Sequence, residues 1–314
     1  MVIEPHSIWI GDNHDSEQLL GFGDMPAEPP HLRMLGDSSL RVSPMIPIAA
    51  SPVPQRLTAL LSHALQTQPI EWHAAPVVVL LPQLGSIDQS QHPLLFGSVC
   101  EAIPALSSHP SCYLYPYGRG AMLLAWKRID ALLADQPYVW VLAVDCDPRL
   151  CEPLSPLLDA DSADHVSSIT ATDSVMLVKV SAASEGLQRE WFSYEALTKD
   201  KATHTAHAAV GALFSRYQHA CGLPIHQFYA PYLGGENCNE EWAMAYHHLD
   251  RAVGRYTRFV MNGAVVGELG ACSGLYNLLH LYERYRRGEY RHPTLQLESS
   301  EVLYRGAALY SWQP

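Results

Sequence analysis

Gly270-Ala-Cys272-Ser-Gly274 places a cysteine in a G-x-C-x-G setting, the cysteine form of a strand-turn-helix elbow that exposes a nucleophile. That chemistry needs an acid and a histidine later in the chain. Only about forty residues follow Cys272, with His280 and His292 the only histidines among them. Cys272 is therefore expected to be a small core residue. His204 and His207 stand one helical turn apart, and His247, His248 and Asp250 form a short cluster, but neither matches a zinc framework. With 16 histidines in the chain such pairs arise by chance, and solvated helix faces are the expected setting. There is no P-loop and no G-x-G-x-x-G after a strand. No metal and no cofactor is expected.

Two small-residue turns stand out as places where the chain can bring side chains close to another backbone. One is Gly263-Ala-Val-Val-Gly267-Glu268-Leu-Gly270-Ala-Cys272-Ser-Gly274, which opens an apolar helical pattern running to Tyr285. The other is Gly118-Arg119-Gly120, which follows the apolar run Cys112-Tyr-Leu-Tyr115 and opens a second apolar helix through Leu133. That helix runs into a strand at Tyr138-Val-Trp-Val-Leu-Ala-Val144. Two similar units half a chain apart point to a duplicated fold.

The remaining elements follow from period and punctuation. Ser7-Ile-Trp-Ile-Gly11 reads as a short strand, and 24–54 as proline-rich and irregular. The residues from Pro54 to Leu65 form an amphipathic helix that leads to a buried strand at 75–81. Leu94 to Leu106 is a helix, Arg149 to Asp164 a polar surface connection, and Ser174 to Val180 a strand. Helices are expected at 204–220 and 239–253, strands at 223–229 and 258–261, and a final strand pair within 301–312. The alternation of strand and helix argues for α/β architecture with covered sheets.

In these two turns the chain resembles the thiolase superfamily, and within it the β-ketoacyl synthases. Gly267-Glu268-Leu-Gly-Ala-Cys-Ser-Gly274 is similar to the Gly-His-x-x-x-x-x-Gly segment that opens the family's buried second-half helix, and Gly118-Arg119-Gly120 to its nucleophile elbow. The resemblance implies a duplicated α-β-α-β-α fold with two mixed sheets around buried central helices. The halves are placed at 1–170, with the elbow at 118–120, and at 171–314.

The resemblance also implies a thiolate nucleophile at a helix N-terminus faced by two imidazoles. Here the nucleophile position falls on Arg119, whose guanidinium stays protonated and cannot attack a thioester. The first imidazole belongs in the loop from Phe228 to Asn237, at Ala230, where no histidine stands; His226 comes too early and is expected within a strand. The second aligns with Glu268, a carboxylate that could serve as a base if burial raised its pKa. No catalytic residue is expected, and Arg119, Ala230 and Glu268 are the degenerate positions. Ketosynthase-like proteins of this kind are encoded beside type VI secretion effectors, which implies an accessory or effector-loading role through another protein. The other reading is an acyl-CoA or acyl-carrier-protein binder or transferase, with Glu268 as base and Arg119 gripping an anion. The family also implies a homodimer through an edge strand beside the elbow.

Composition bounds these readings. The 314 residues are 48% hydrophobic and 17% charged, a globular balance. A net charge of -12 opposes general binding to nucleic acid. The seven cysteines show no C-x-x-C spacing, and reduced thiols in a cytoplasmic protein are expected. No apolar run reaches about 18 residues and the start lacks a signal pattern, so no membrane is expected as a partner. Tyr276, Tyr282, Tyr285 and Tyr290, interspersed with Arg284, Arg286 and Arg287, have the residue types favoured at interfaces.

Overall fold

The computed structural model describes residues 1–21, 31–36, 38–66, 68–84, 92–156, 169–197, 205–232 and 239–314. In chain order the elements are β1 (Val2–Ile10), α1 (Ser16–Gly21), β2 (His31–Leu35), β3 (Ser38–Ser43), α2 (Val53–Leu65), β4 (Val77–Leu80), α3 (His92–Ala102), β5 (Cys112–Tyr115), α4 (Ala121–Leu133), β6 (Tyr138–Cys146), β7 (Ser155–Pro156), β8 (Ala171–Ser181), β9 (Gly186–Ala196), α5 (Ala206–Ala220), β10 (Gln227–Tyr229), α6 (Glu240–Ala245), β11 (Arg258–Val260), α7 (Gly263–Val266), α8 (Ser273–Arg286), β12 (Thr294–Ser299) and β13 (Tyr304–Gln313). Among the described residues no helix is long and apolar enough to cross a membrane.

The strands form two mixed sheets. The first runs β5-β4-β6-β8-β3-β2-β7, with β1 paired to β8; the second runs β11-β10-β12-β13-β9. Strand β6 is apolar from Val139 to Val144 because both its faces are covered. Val139, Val141 and Ala143 point into the core between the sheets, while Trp140, Leu142 and Val144 point into the core beneath α2 and α3. In α2, Leu57, Leu60, Leu61 and Ala64 repeat at helical spacing and are buried, each leucine contributing about 1.5–3 kcal/mol. The second sheet divides in the same way, Tyr310 facing inward and Leu309 facing the outer core with Phe214 of α5.

Helices α4 and α8 lie between the sheets, which is why α8 buries Leu275, Leu278, Leu279 and Leu281 together with Tyr276, Tyr282 and Tyr285. The indole N–H of Trp126 on α4 donates to the Tyr310 hydroxyl at 2.8 Å, tying that helix to the second sheet. The layers are α2 and α3, sheet, α4 and α8, sheet, α5 and α6, as the α-β-α-β-α expectation has it.

Several local expectations differ from the structure. Within 24–54, β2 and β3 form a hairpin through Gly36 at φ +58°. The 239–253 segment is a short helix continued by a 3-10 turn at Tyr246–Leu249. Only one strand, β13, lies in 301–312, and it pairs with β12 upstream. Strand β8, placed at the start of the second half, belongs to the first sheet, pairing antiparallel with β6 and β1. The 149–164 connection begins as a 3-10 turn, Pro148–Cys151, and its part from 157 lies outside the described residues.

Candidate functional site

Both inner helices open in the same way. A 3-10 turn, Gly118–Gly120, precedes α4, and another, Gly270–Cys272, precedes α8. The first glycine of each is left-handed, Gly118 at φ +53° and Gly270 at φ +49°, a conformation that a side chain disfavours. Space forbids one as well: a Cβ on Gly118 would collide with the Glu301 carboxylate, and one on Gly270 with that of Asp145. The N–H of the next residue donates to the same acid in each case, Arg119 to Glu301 at 3.3 Å and Ala271 to Asp145 at 2.6 Å. Each acid comes from the opposite sheet's chain segment, Glu301 after β12 and Asp145 at the end of β6.

The Arg119 side chain crosses between these openings. Its Nη1 donates to Glu268 Oε2 at 3.0 Å, its Nε donates to the Ser299 carbonyl at 3.2 Å, and Nε lies 3.7 Å from Glu301 Oε1. Glu268 Oε1 accepts from the Gly270 N–H at 2.9 Å. Burial opposes the Arg119 charge, but Glu268 and Glu301 outweigh it and push the guanidinium pKa up. Burial pushes Asp145 well above the usual carboxylate range against the opposing hydrogen bond from Ala271. Glu301 is raised too, by burial partly offset by Arg119.

A fourth acid, Glu298 on β12, lies at the start of α4. Its Oε2 accepts from the Leu123 N–H at 3.3 Å and its Oε1 accepts from Gln296 Nε2 at 2.5 Å. Only 3% exposed, it is pushed up to about 8 by burial, more than these hydrogen bonds lower it. At pH 7 it is mostly a neutral carboxylic acid.

Arg119, Ala230 and Glu268 all line one cavity, with Ser273, Asn277 and Glu298. Its volume is about 40 Å³, room for roughly two or three waters and well short of the roughly 300 Å³ at which small-molecule sites begin. No cysteine is among its described lining residues. Cys272 is fully buried, its thiol donating to the Ser174 carbonyl at 3.6 Å, and burial drives its pKa far up. Such a thiol is a core side chain and not a nucleophile.

Among the described residues no histidine lines this cavity. His280 is buried on α8, bonded through Nδ1 to the Tyr229 hydroxyl at 2.6 Å, and burial with neighbouring Arg284 lowers it to about 3. His226 lies at the foot of β10, its ring stacked on that of His292 at 4.0 Å. His247 and His248 lie on the 3-10 turn after α6, and His207 at the exposed start of α5; His204 is outside the described residues. Among the described residues no three His, Cys, Asp or Glu side chains converge as a metal site. The sequence reading named Arg119, Ala230 and Glu268 but missed Asp145, Glu298 and Glu301. The available signal was the pair of glycine turns, since each glycine makes room for a carboxylate.

No protein-family model and no curated protein sequence matches the chain. Solved structures do. The ishigamide ketosynthase/chain length factor superposes over 100% of this chain and 99% of its own, with a TM-score of 0.61 at 14% identity. OleA of Xanthomonas campestris covers 99% of this chain and 98% of its own, with a TM-score of 0.54 at 10% identity. The fold is thiolase-like. A third thiolase-like match is a type II PKS acyl-carrier protein in complex with its ketosynthase, covering 99% of both chains at a TM-score of 0.57 and 10% identity. At the two helix openings of this thiolase-like fold, Arg119 and Glu268 are bonded to each other.

Proposed function

We propose that this chain is a thiolase-fold protein without condensing activity that acts by binding another protein. One observation carries the reading: the cation at the elbow, Arg119, is neutralised by Glu268 and Glu301. A condensing site needs a thiolate and free donors aimed at a developing oxyanion. Here the N–H groups of Arg119 and Leu123 at the start of α4 already donate to Glu301 and Glu298.

The segment that lines the cavity also offers contact surface. Phe259 on β11, the edge strand of the second sheet, is 40% exposed, and its ring packs on Trp242 and Tyr246 at 5.6 and 5.4 Å. Val265, a few residues on, is 61% exposed. Exposed aromatic residues of this kind anchor protein interfaces. Within this reading the partner is a secretion effector or its adaptor, the setting is the cytoplasm, and two copies pair through β5, the free edge beside the elbow. The first half then ends with β8, past the expected boundary at residue 170, and the second begins at β9.

The test is co-expression with the products of the adjoining genes. A stoichiometric complex that survives gel filtration is the expected result. A chain that stays alone in every combination while it condenses or hydrolyses an acyl thioester overturns the reading.

The second reading, an acyl-CoA or acyl-carrier-protein binder, draws on Arg119, Ser273 and Asn277 lining one cavity. Calorimetry with acyl-CoA separates the two. Heat of binding lost in Arg119→Ala favours the acyl reading, and none at millimolar ligand removes it.

A further inference from the structure

The 3-10 turn that follows β6 brings two thiols together on the face of the first sheet away from the cavity. Cys146, the last residue of β6, is 1% exposed, and Cys151, at the end of the turn, is half-buried; their sulfurs are 3.9 Å apart. The two differ in character. The hydrogen bond from Cys146 and the charge of Arg56 draw the Cys151 pKa down, while Cys146 is raised by that same hydrogen bond and by burial. Arg56 is held in place by a buried pairing with Asp173, Nε to Oδ1 at 2.9 Å and Nη2 to Oδ2 at 2.7 Å. Cys100, Cys112 and Cys221 are raised by burial, whereas Cys151 is both drawn down and the more exposed member of the pair.

We propose that Cys146 and Cys151 form a reversible disulfide, with Cys151 as the attacking thiol and Cys146 as the resolving one. The oxidant is a hydroperoxide. The Cys151 thiolate attacks the peroxide, a sulfur–oxygen bond forms, the oxygen–oxygen bond breaks, and the alkoxide leaves as an alcohol after taking a proton from water. Cys146 then attacks the sulfenic acid sulfur. The disulfide forms, the sulfur–oxygen bond breaks, and hydroxide departs with the Cys146 proton as water. Two thiols lose two electrons, and the peroxide gains them.

Closing the bond requires the sulfurs to approach to about 2.05 Å. Strand β6 is paired on both edges, to β4 and β8, so the turn is the part that moves. The Cys151 carbonyl accepts from the Ser51 N–H at 3.1 Å, just before α2. Arg149 on the same turn pairs with Asp147 at 2.6 Å and lies within electrostatic reach of Glu268. Oxidation thereby acts on a turn that adjoins the outer helix layer and carries Arg149, which feels the charge of Glu268.

The experiment treats the reduced full chain with hydrogen peroxide, blocks free thiols, denatures it and digests it with trypsin. Trypsin cuts after Arg149, between the two cysteines, so the disulfide appears as two peptides held together. The expected result is that this pair forms in the wild type, separates with dithiothreitol and is absent from Cys151→Ser. In Cys146→Ser, oxidation should stop at a sulfenic acid that dimedone traps on Cys151. The proposal fails if both thiols stay reduced while Cys100, Cys112 or Cys221 oxidise. It fails equally if Cys151 proceeds to sulfinic acid in the wild type with Cys146 still blocked as a free thiol.

Discussion

Arg119 on the turn before α4 and Glu268 on the turn before α8 meet at 3.0 Å, so the two inner helices are joined at their N-terminal openings by an ion pair. The side chains are 20% and 18% exposed, which leaves the pair only partly screened. A cation near a helix N-terminus is disfavoured by about 0.3–1 kcal/mol, and the acids around Arg119 reverse that preference.

Removing the cation should therefore cost more than trimming a surface arginine. Arg119→Ala leaves Glu268 and Glu301 facing each other without a counter-charge, near Asp145. Loss of one partner from a buried pair costs roughly 3–5 kcal/mol, and partial exposure brings the expectation here to about 2–3 kcal/mol. Denaturant unfolding at pH 7 measures it. In the double variant Arg119→Ala with Glu268→Gln much of the loss should return, and a double variant no more stable than the single one argues against the pairing.

The glycine turns give a second test. Gly270→Ala forces a left-handed alanine and drives its Cβ into Asp145, so a loss of about 2–4 kcal/mol is expected. Gly288→Ala is the control. It is also left-handed, at φ +74°, but nothing lies near its Cβ, and it should cost only about 1 kcal/mol. Equal losses at the two positions would mean that backbone strain alone, and not the carboxylate's place, decides.

The elbow turns were legible because small residues before an apolar helical period have few other uses. Gly118 and Gly270 declared a close approach, although not what approaches. The approaching acids were hidden by non-local pairing. In Thr294-Leu-Gln-Leu-Glu-Ser299 the alternation of leucine and polar residues suggests a solvated face. The structure buries both faces, because Gln296 and Glu298 bond to the openings of α8 and α4. Asp145 falls just past the strand expected at Tyr138 to Val144, and Asp147-Pro148 follows it. Strand β9 went unnoticed since its partner β13 lies more than a hundred residues away, and its half-exposed, charged sequence carries little local signal.

Cys272 offers a chemical check on the buried-thiol assignment. In the folded protein it should resist iodoacetamide under conditions that label Cys151, and it should react once denaturant is added. Cys272→Ser places a hydroxyl in the core and should cost about 1–3 kcal/mol. Rapid native-state labelling at Cys272 would indicate an open elbow and revive a nucleophilic role.

Two buried groups should shape the pH dependence of stability in opposite senses. Glu298 is raised from 4.5 to about 8. Between those values the unfolded chain has lost the proton while the native state keeps it, so stability falls as pH rises through that window, by up to about 1.4 kcal/mol per unit. His280 is lowered from 6.5 to about 3. Below 6.5 the unfolded chain takes up a proton that the native imidazole, facing Arg284 and Tyr229, refuses, so stability falls as pH drops from 6.5 toward 3. The two slopes oppose each other where the windows overlap, from 4.5 to 6.5, and stability should be greatest in that range. Glu298→Gln should shallow the alkaline limb without abolishing it, since Asp145 and Glu301 are also raised, becoming more stable than the wild type at pH 8 while costing about 1 kcal/mol or less at pH 4.5. His280→Gln should flatten the acid limb and leave the alkaline one unchanged. Urea midpoints across pH 4 to 9 distinguish the two, and a Glu298→Gln profile parallel to the wild type would show that the carboxyl ionises normally in the fold.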